Sequence, residues 1–243
     1  MKRDTSFLTQ NLIAHRGYHD IKKGIPENSI IAFKEAIKNN LIIELDVHVL
    51  KDRKVVVFHD DNIKRMTDID KNIKDMTYDE LDKIRLKKTE HKIPLLQEVL
   101  ELINGKVPII IELKCDVKYG ALEKEVIKIL KNYHGKYAIK SFSPFSVNYF
   151  RKNSPETIRG QIASDFKNKK MSKTKKIFLS EMLFNIISKP DFISYDIRGL
   201  PNNRVAKLRK SKIVLGWTIR SYEELEKAKK YCDNAICENI KLK

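Results

Sequence analysis

A (β/α)8 barrel is the fold class that this sequence predicts, and three observations predict it. Short β-branched apolar runs alternate with segments of helical period along the 243 residues, which implies parallel strands joined by right-handed crossovers. The length suits a single barrel domain spanning 1–243, with no Gly/Ser linker or internal repeat to divide it. The polar residues with chemical potential gather where the apolar runs end, as they do in barrel enzymes. An open doubly wound sheet is the main rival, and eight strands favour closure.

The predicted strands are 12–14, 41–47, 108–113, 137–142, 158–162, 192–195, 213–218 and 234–237. Helix-period segments separate them at 29–39, 95–103, 122–133, 144–152, a stretch ending near 188, 203–210 and 222–231. Asn28 is the expected cap of the first helix, and Gly105 the expected stop of the helix at 95–103. The run 55–58 follows the second strand across a short turn and reads as a hairpin arm, not a ninth stave. Residues 60–94 are polar, with a helical patch at 78–83, and form a small insertion beside the active face.

Composition narrows the classes. Hydrophobic residues make up 42% and charged residues 33%, the balance of a soluble protein with a core. No apolar run approaches the roughly 18–20 residues of a membrane span, and MKRDTSFLTQ lacks a secretory leader, so a cytoplasmic location is expected. Cys115, Cys232 and Cys237 have no metal-like spacing and read as buried free thiols. The net charge of +17 is spread over faces such as EELEKAKK, where opposite charges lie three or four residues apart. No nucleic-acid motif accompanies it and there is one Trp, so no specific nucleic-acid partner is expected. The basic run 167–176 precedes the apolar IFLSEMLFNII. It is a solvated loop leading into a packed helix, or a docking element (167–187) for anionic membrane.

The chemistry lies at strand ends. Glu44 and Asp46 are two apart in IIELDVHV and share one side of a strand. Inward carboxylates in an apolar strand need a cation or partner, and Glu112 ends another strand. Three carboxylates without a thiolate suit one hard divalent cation, Mg²⁺ or Ca²⁺. His15 and His59 each follow an apolar strand and make a plausible acid/base pair. His48 is read as facing away from Asp46, and His19, His91 and His134 as incidental. Arg16 and Lys114 flank this set and supply positive charge for a phosphate oxygen.

The ordered segments AHRGY, IPENSIIAF, IIELDVHV, VVVFHDDN, VPIIIELK, KSFSPFS and LGWTIR resemble the signature blocks of the glycerophosphodiester phosphodiesterase family. That resemblance implies a barrel with an insertion, metal carboxylates at Glu44, Asp46 and Glu112, and catalytic histidines at His15 and His59. It also implies phosphate contacts from Arg16 and Lys114, support from Glu27, and a pocket-lining Trp217. The expected reaction is hydrolysis of glycerophosphodiesters to glycerol 3-phosphate and an alcohol, through a cyclic phosphate. The alternatives are a lysophospholipase D-type hydrolase and a non-catalytic phosphate-binding barrel. One departure stands at the last strand, where Cys237-Glu238 replaces the family's usual Thr-Asp.

Overall fold

The computed structural model describes residues 3–114, 119–166, 172 and 178–240. Its internal contacts define two compact units, Ala14–Tyr137 and Met1–Ile13 with Ala138–Lys243. Strand and helix alternate along both, as predicted.

In the unit Ala14–Tyr137, the chain enters from β1 (Ile13–Ala14) and turns into α1 (Ile30–Lys38). Ser29, not Asn28, caps that helix: its hydroxyl accepts from the Ala32 N–H at 3.3 Å. The expectation for Asn28 fails because its backbone is left-handed, at φ 53°, one residue too early for the cap. Strand β2 (Ile42–Val49) is buried at every position from Ile42 to His48, the signature of a strand covered on both faces. It pairs in parallel with β4 (Ile109–Leu113), and the register sets Asp46 beside Glu112. Strand β3 (Val55–Val57) pairs antiparallel with β2, confirming the hairpin.

After the hairpin come the short helices α2 (Lys64–Thr67) and α3 (Tyr78–Leu81). The sequence made this stretch look merely polar, yet Ile63, Met66, Ile73, Met76, Tyr78, Leu81, Leu86 and Ile93 bury themselves against Leu50, Val56 and Phe58 of the hairpin. Apolar residues spaced irregularly over short helices carry no clean period, which is why the pattern hid them. Helix α4 (Leu96–Ile103) buries Leu96, Val99, Leu100 and Ile103, and stops at Asn104 and Gly105, both left-handed. Helix α5 (Ala121–Leu130) follows β4.

In the other unit, β5 (Tyr137–Ser141), β6 (Ile158–Ala163), β7 (Phe192–Asp196), β8 (Ile213–Ile219) and β9 (Asn234–Cys237) pair in parallel in chain order. Helices α6 (Pro144–Asn153), α7 (Asn185–Ser188), α8 (Asn203–Arg209) and α9 (Tyr222–Tyr231) lie between them. Ser143, Asn202 and Ser221 cap α6, α8 and α9 through side-chain oxygens. Gly160 is required where it stands, because a Cβ there would lie 2.3 Å from the Phe192 ring. On α9 the predicted charge pairing appears as Lys229 to Glu226 at 2.7 Å. Cys232 and Cys237 are free thiols that burial pushes up to about 12, as inert packing thiols should be. Cys115 and all of the basic run 167–176 but Ser172 lie outside the described residues. Among the described residues no helix is long and apolar enough to cross a membrane.

Candidate active site

The site residues of Ala14–Tyr137 converge because each is placed by a different local device. Strand β1 ends at His15, which is buried, and the chain then reverses through Arg16 and Gly17 with φ 57° and 79°. A side chain at Gly17 would put its Cβ 2.9 Å from the Ala32 Cβ, so only glycine lets this turn lie against α1. The Gly17 N–H donates to the Glu44 carbonyl at 3.2 Å, and the Arg16 N–H donates to Glu44 Oε2 at 3.1 Å. The histidine turn is thereby stitched to β2.

Glu44 and Asp46 project from one side of β2, and Glu112 stands next to Asp46 on β4. All three are buried, and each offers an oxygen within 4.8 Å of the others. Lys114 lies across two of them, its Nζ 2.9 Å from Asp46 Oδ1 and 2.5 Å from Glu112 Oε1. Arg16 Nε is 3.5 Å from Asp46 Oδ2. Burial alone would raise the Asp46 carboxyl, but the charges of Lys114, His59 and Arg16 outweigh it and hold the group well below its usual range. For Lys114 burial works the other way, and Asp46 and Glu112 overcome it to push the ammonium up.

The hairpin brings in His59. The Phe58 N–H donates to the Asp46 carbonyl at 2.9 Å, which ends β3 beside the carboxylates. His59 Nδ1 meets Asp60 Oδ1 at 2.5 Å. Glu27 accepts from Arg16 at 2.6 Å. Burial would raise Glu27, and hydrogen bonds and charge from Arg65 and Arg16 reverse that and lower it.

Three residues escaped the sequence reading. Asn28 is 1% exposed and its Nδ2 donates to Asp46 Oδ2 at 2.9 Å, fixing the carboxylate from the side opposite Lys114's oxygen. The clue was Ser29, a sufficient cap that left the asparagine spare. His48 was misplaced: positions two apart on a strand share a side, so it lies on the face of Asp46. It is buried, its Nε2–H donates to the His59 carbonyl at 3.3 Å, and burial lowers its pKa. Arg65, from α2, reaches both Glu27 and Asp60. No period links it to either, so only the fold reveals it.

Trp217 belongs to the other unit, on β8, where its ring meets Phe142 edge-on with centroids 5.7 Å apart. Its indole Nε1–H is buried and has no hydrogen-bond acceptor among the described residues.

The donor set of Glu44, Asp46 and Glu112 fits a hard divalent cation. Charge agrees: five carboxylates (Glu27, Glu44, Asp46, Asp60, Glu112) face three cations (Arg16, Arg65, Lys114), which leaves two negative charges when every acid is ionised and the histidines are neutral.

Comparisons with known proteins point the same way. A model of the glycerophosphoryl diester phosphodiesterase family matches residues 15–239. A glycerophosphodiester phosphodiesterase of Caldanaerobacter subterraneus subsp. tengcongensis is 37% identical over 155 residues, covering 59% of this chain and 63% of that protein. A lysophospholipase D of Homo sapiens is 34% identical over 146 residues, covering 55% of this chain and 44% of that protein. The matched region thus spans less than two thirds of these relatives. Among solved structures, a glycerophosphodiester phosphodiesterase of Thermotoga maritima superposes with TM-score 0.73 at 26% identity, covering 94% of each chain. A phosphodiesterase of Oleispira antarctica in complex with the product sn-glycerol-3-phosphate superposes with TM-score 0.79 at 22% identity, covering 95% of this chain and 93% of that one. The fold is theirs, a (β/α)8 barrel.

Proposed function

The chain belongs to the glycerophosphoryl diester phosphodiesterase family, and on that premise we propose that it hydrolyses glycerophosphodiesters to glycerol 3-phosphate and an alcohol. The observation that carries this reading is the buried triad Glu44, Asp46 and Glu112, with His15 on the turn tied to Glu44 and His59 next to the Phe58 N–H that donates to the Asp46 carbonyl. These carboxylates would hold one Mg²⁺ or Ca²⁺, which when bound polarises a phosphoryl oxygen.

The chain's own groups do the rest. Arg16 and Lys114 neutralise the phosphodiester oxygens, and Glu27 keeps the Arg16 guanidinium in place. One histidine takes the proton of the substrate's neighbouring glycerol hydroxyl as that oxygen bonds to phosphorus. The other gives a proton to the departing alcohol oxygen as its bond to phosphorus breaks. The cyclic phosphate so formed is opened by water with the two roles exchanged, releasing glycerol phosphate. Trp217 is read as lining the substrate pocket on the family resemblance of LGWTIR alone. The whole chain works as one barrel domain, with 60–94 as its insertion.

Release of glycerol 3-phosphate from a panel of glycerophosphodiesters, after chelation and readdition of Mg²⁺ or Ca²⁺, tests the proposal. Activity should vanish with chelator and return with one metal. Undiminished activity in chelator would overturn the metal-centred mechanism, and phosphate binding without turnover on any substrate would leave a non-catalytic barrel.

A second reading, hydrolysis of lysolipids at an anionic bilayer, is favoured by one surface. Phe145 in α6 and Phe178, Leu183, Ile186 and Ile187 around α7 are exposed, Ile186 at 79%. Phe184 joins Phe145 and Phe178 with ring centroids 5.9 and 5.7 Å away. The lysine-rich run 167–176 shortly precedes residues 178–187 in sequence, the charge partner such a surface needs. Vesicles containing anionic lipid should sediment the protein, and Ile186→Asp should release it. Equal binding to neutral vesicles removes the membrane reading, and choline release from lysophosphatidylcholine separates the two substrates.

A further inference from the structure

We propose that Arg65, carried by the insertion, is a positioning residue that holds the phosphate-binding arginine and the His59 imidazole in register through two carboxylates. The inference rests on the hydrolase reading for what those two groups do, but not for how they are held.

The geometry is a chain of alternating charge. Arg16 donates to Glu27 Oε1 at 2.6 Å. Arg65 grips Glu27 with both terminal nitrogens, at 2.6 Å to Oε1 and 2.9 Å to Oε2. Its Nε donates to Asp60 Oδ2 at 2.5 Å, and the other oxygen of Asp60 meets His59 Nδ1, again at 2.5 Å. Every nitrogen of one planar group is thus spent on two acids whose remaining contacts are reacting groups. A guanidinium spans both acids because its donors lie in a rigid planar fork that grips Glu27 with two nitrogens and Asp60 with the third; an ammonium has three donors but no such fork.

The consequence for His59 is specific. Arg65 and the His59 contact together hold the Asp60 carboxyl low against the opposing effect of burial, so Asp60 is an anion that accepts from Nδ1–H. That fixes the tautomer and leaves Nε2 as the nitrogen that exchanges a proton with substrate. Glu27, likewise, is held on both edges: without Arg65 it is free to turn onto Arg16 and draw the guanidinium away from phosphate. The arm places Arg65 at this point because Ile63 and Met66, two residues before it and one after, are buried in the cluster against the hairpin.

The test uses the full-length protein with Arg65→Gln, Arg65→Lys, Asp60→Asn and the double variant Arg65→Gln/Asp60→Asn. Nitrogen-15 NMR of the histidine rings should show His59 as the Nδ1–H tautomer in the wild type and as a mixture in Arg65→Gln. In steady-state hydrolysis of glycerophosphocholine with saturating metal, Arg65→Gln should lower kcat and raise KM together, by roughly 10- to 100-fold in kcat/KM. Arg65→Lys, which keeps the charge and safeguards folding, should not restore both parameters. Arg65→Gln should cost less in the Asp60→Asn background than alone. A wild-type ring spectrum in Arg65→Gln, or strictly additive losses, overturns the proposal. Wild-type protein inactive on every glycerophosphodiester would instead sink the hydrolase reading, and the ring spectrum would still decide the role of Arg65.

Discussion

Asp46 shows how much one residue's surroundings govern this site. It is 1% exposed, and Lys114, Arg16 and Asn28 all address its two oxygens. Removing the Asn28 amide leaves a buried carboxylate oxygen short of a donor, so Asn28→Ala should cost about 1–3 kcal/mol, read from urea unfolding. An unchanged midpoint would show that the contact carries no stability. His15→Ala and His59→Ala test the reacting groups. Each should lower kcat by at least about 100-fold, with the melting curve unmoved. The carboxylates were legible in the sequence because period-2 spacing in an apolar strand leaves an acid nowhere to go but inward. Asn28 was only half legible: Ser29 could serve as the cap and free it, but the left-handed backbone that turns it toward Asp46 has no signature beyond the residue type. His48 was misread, although the same parity rule that paired Glu44 with Asp46 puts it on that side.

At the level of elements, the hairpin and its insertion separate this unit from a plain run of strands and helices. Strand β3 runs against β2, and through it His59 reaches the carboxylates from an arm outside the parallel staves. The arm is bound by Arg65 to Asp60, whose carboxyl is held below its ordinary value of about 3.8. A depressed acid contributes stability that is present above its unfolded pKa and lost as pH falls through the folded one. Asp60→Asn should therefore lower the urea midpoint at pH 7, and the gap to the wild type should close as pH falls below about 4. A gap that stays constant down to pH 3 would show that the His59 and Arg65 contacts of Asp60 contribute nothing. Helix and strand positions were readable to within a few residues because caps and periods mark them. The insertion's packing was not, because its apolar residues meet through irregular turns.

Across the whole molecule, the alternation of strand and helix was enough to reach the barrel, since parallel pairing leaves few other ways to connect eight such strands. The chain carries +17 overall, yet its candidate site gathers five carboxylates against the three side-chain cations Arg16, Arg65 and Lys114. A cation that binds only the folded form should stabilise it by about 2.7 kcal/mol at a hundredfold excess over its Kd. For a protein of this size that corresponds to a rise in Tm of roughly 5–11 °C. Calorimetry with Mg²⁺, Ca²⁺ and chelator reads this directly. Equal melting in all three would remove the triad as a metal centre.

The eight buried residues packed against the hairpin have one more consequence, for temperature. So small a cluster opens more readily than the strands it leans on, and sub-global opening of this kind has its own free energy below that of complete unfolding. The arm carrying His59, Asp60 and Arg65 would then come loose while β2 and β4 stay paired. Heat should abolish the proposed hydrolysis reversibly before the protein melts, with amide exchange quickening first between Ile63 and Ile93.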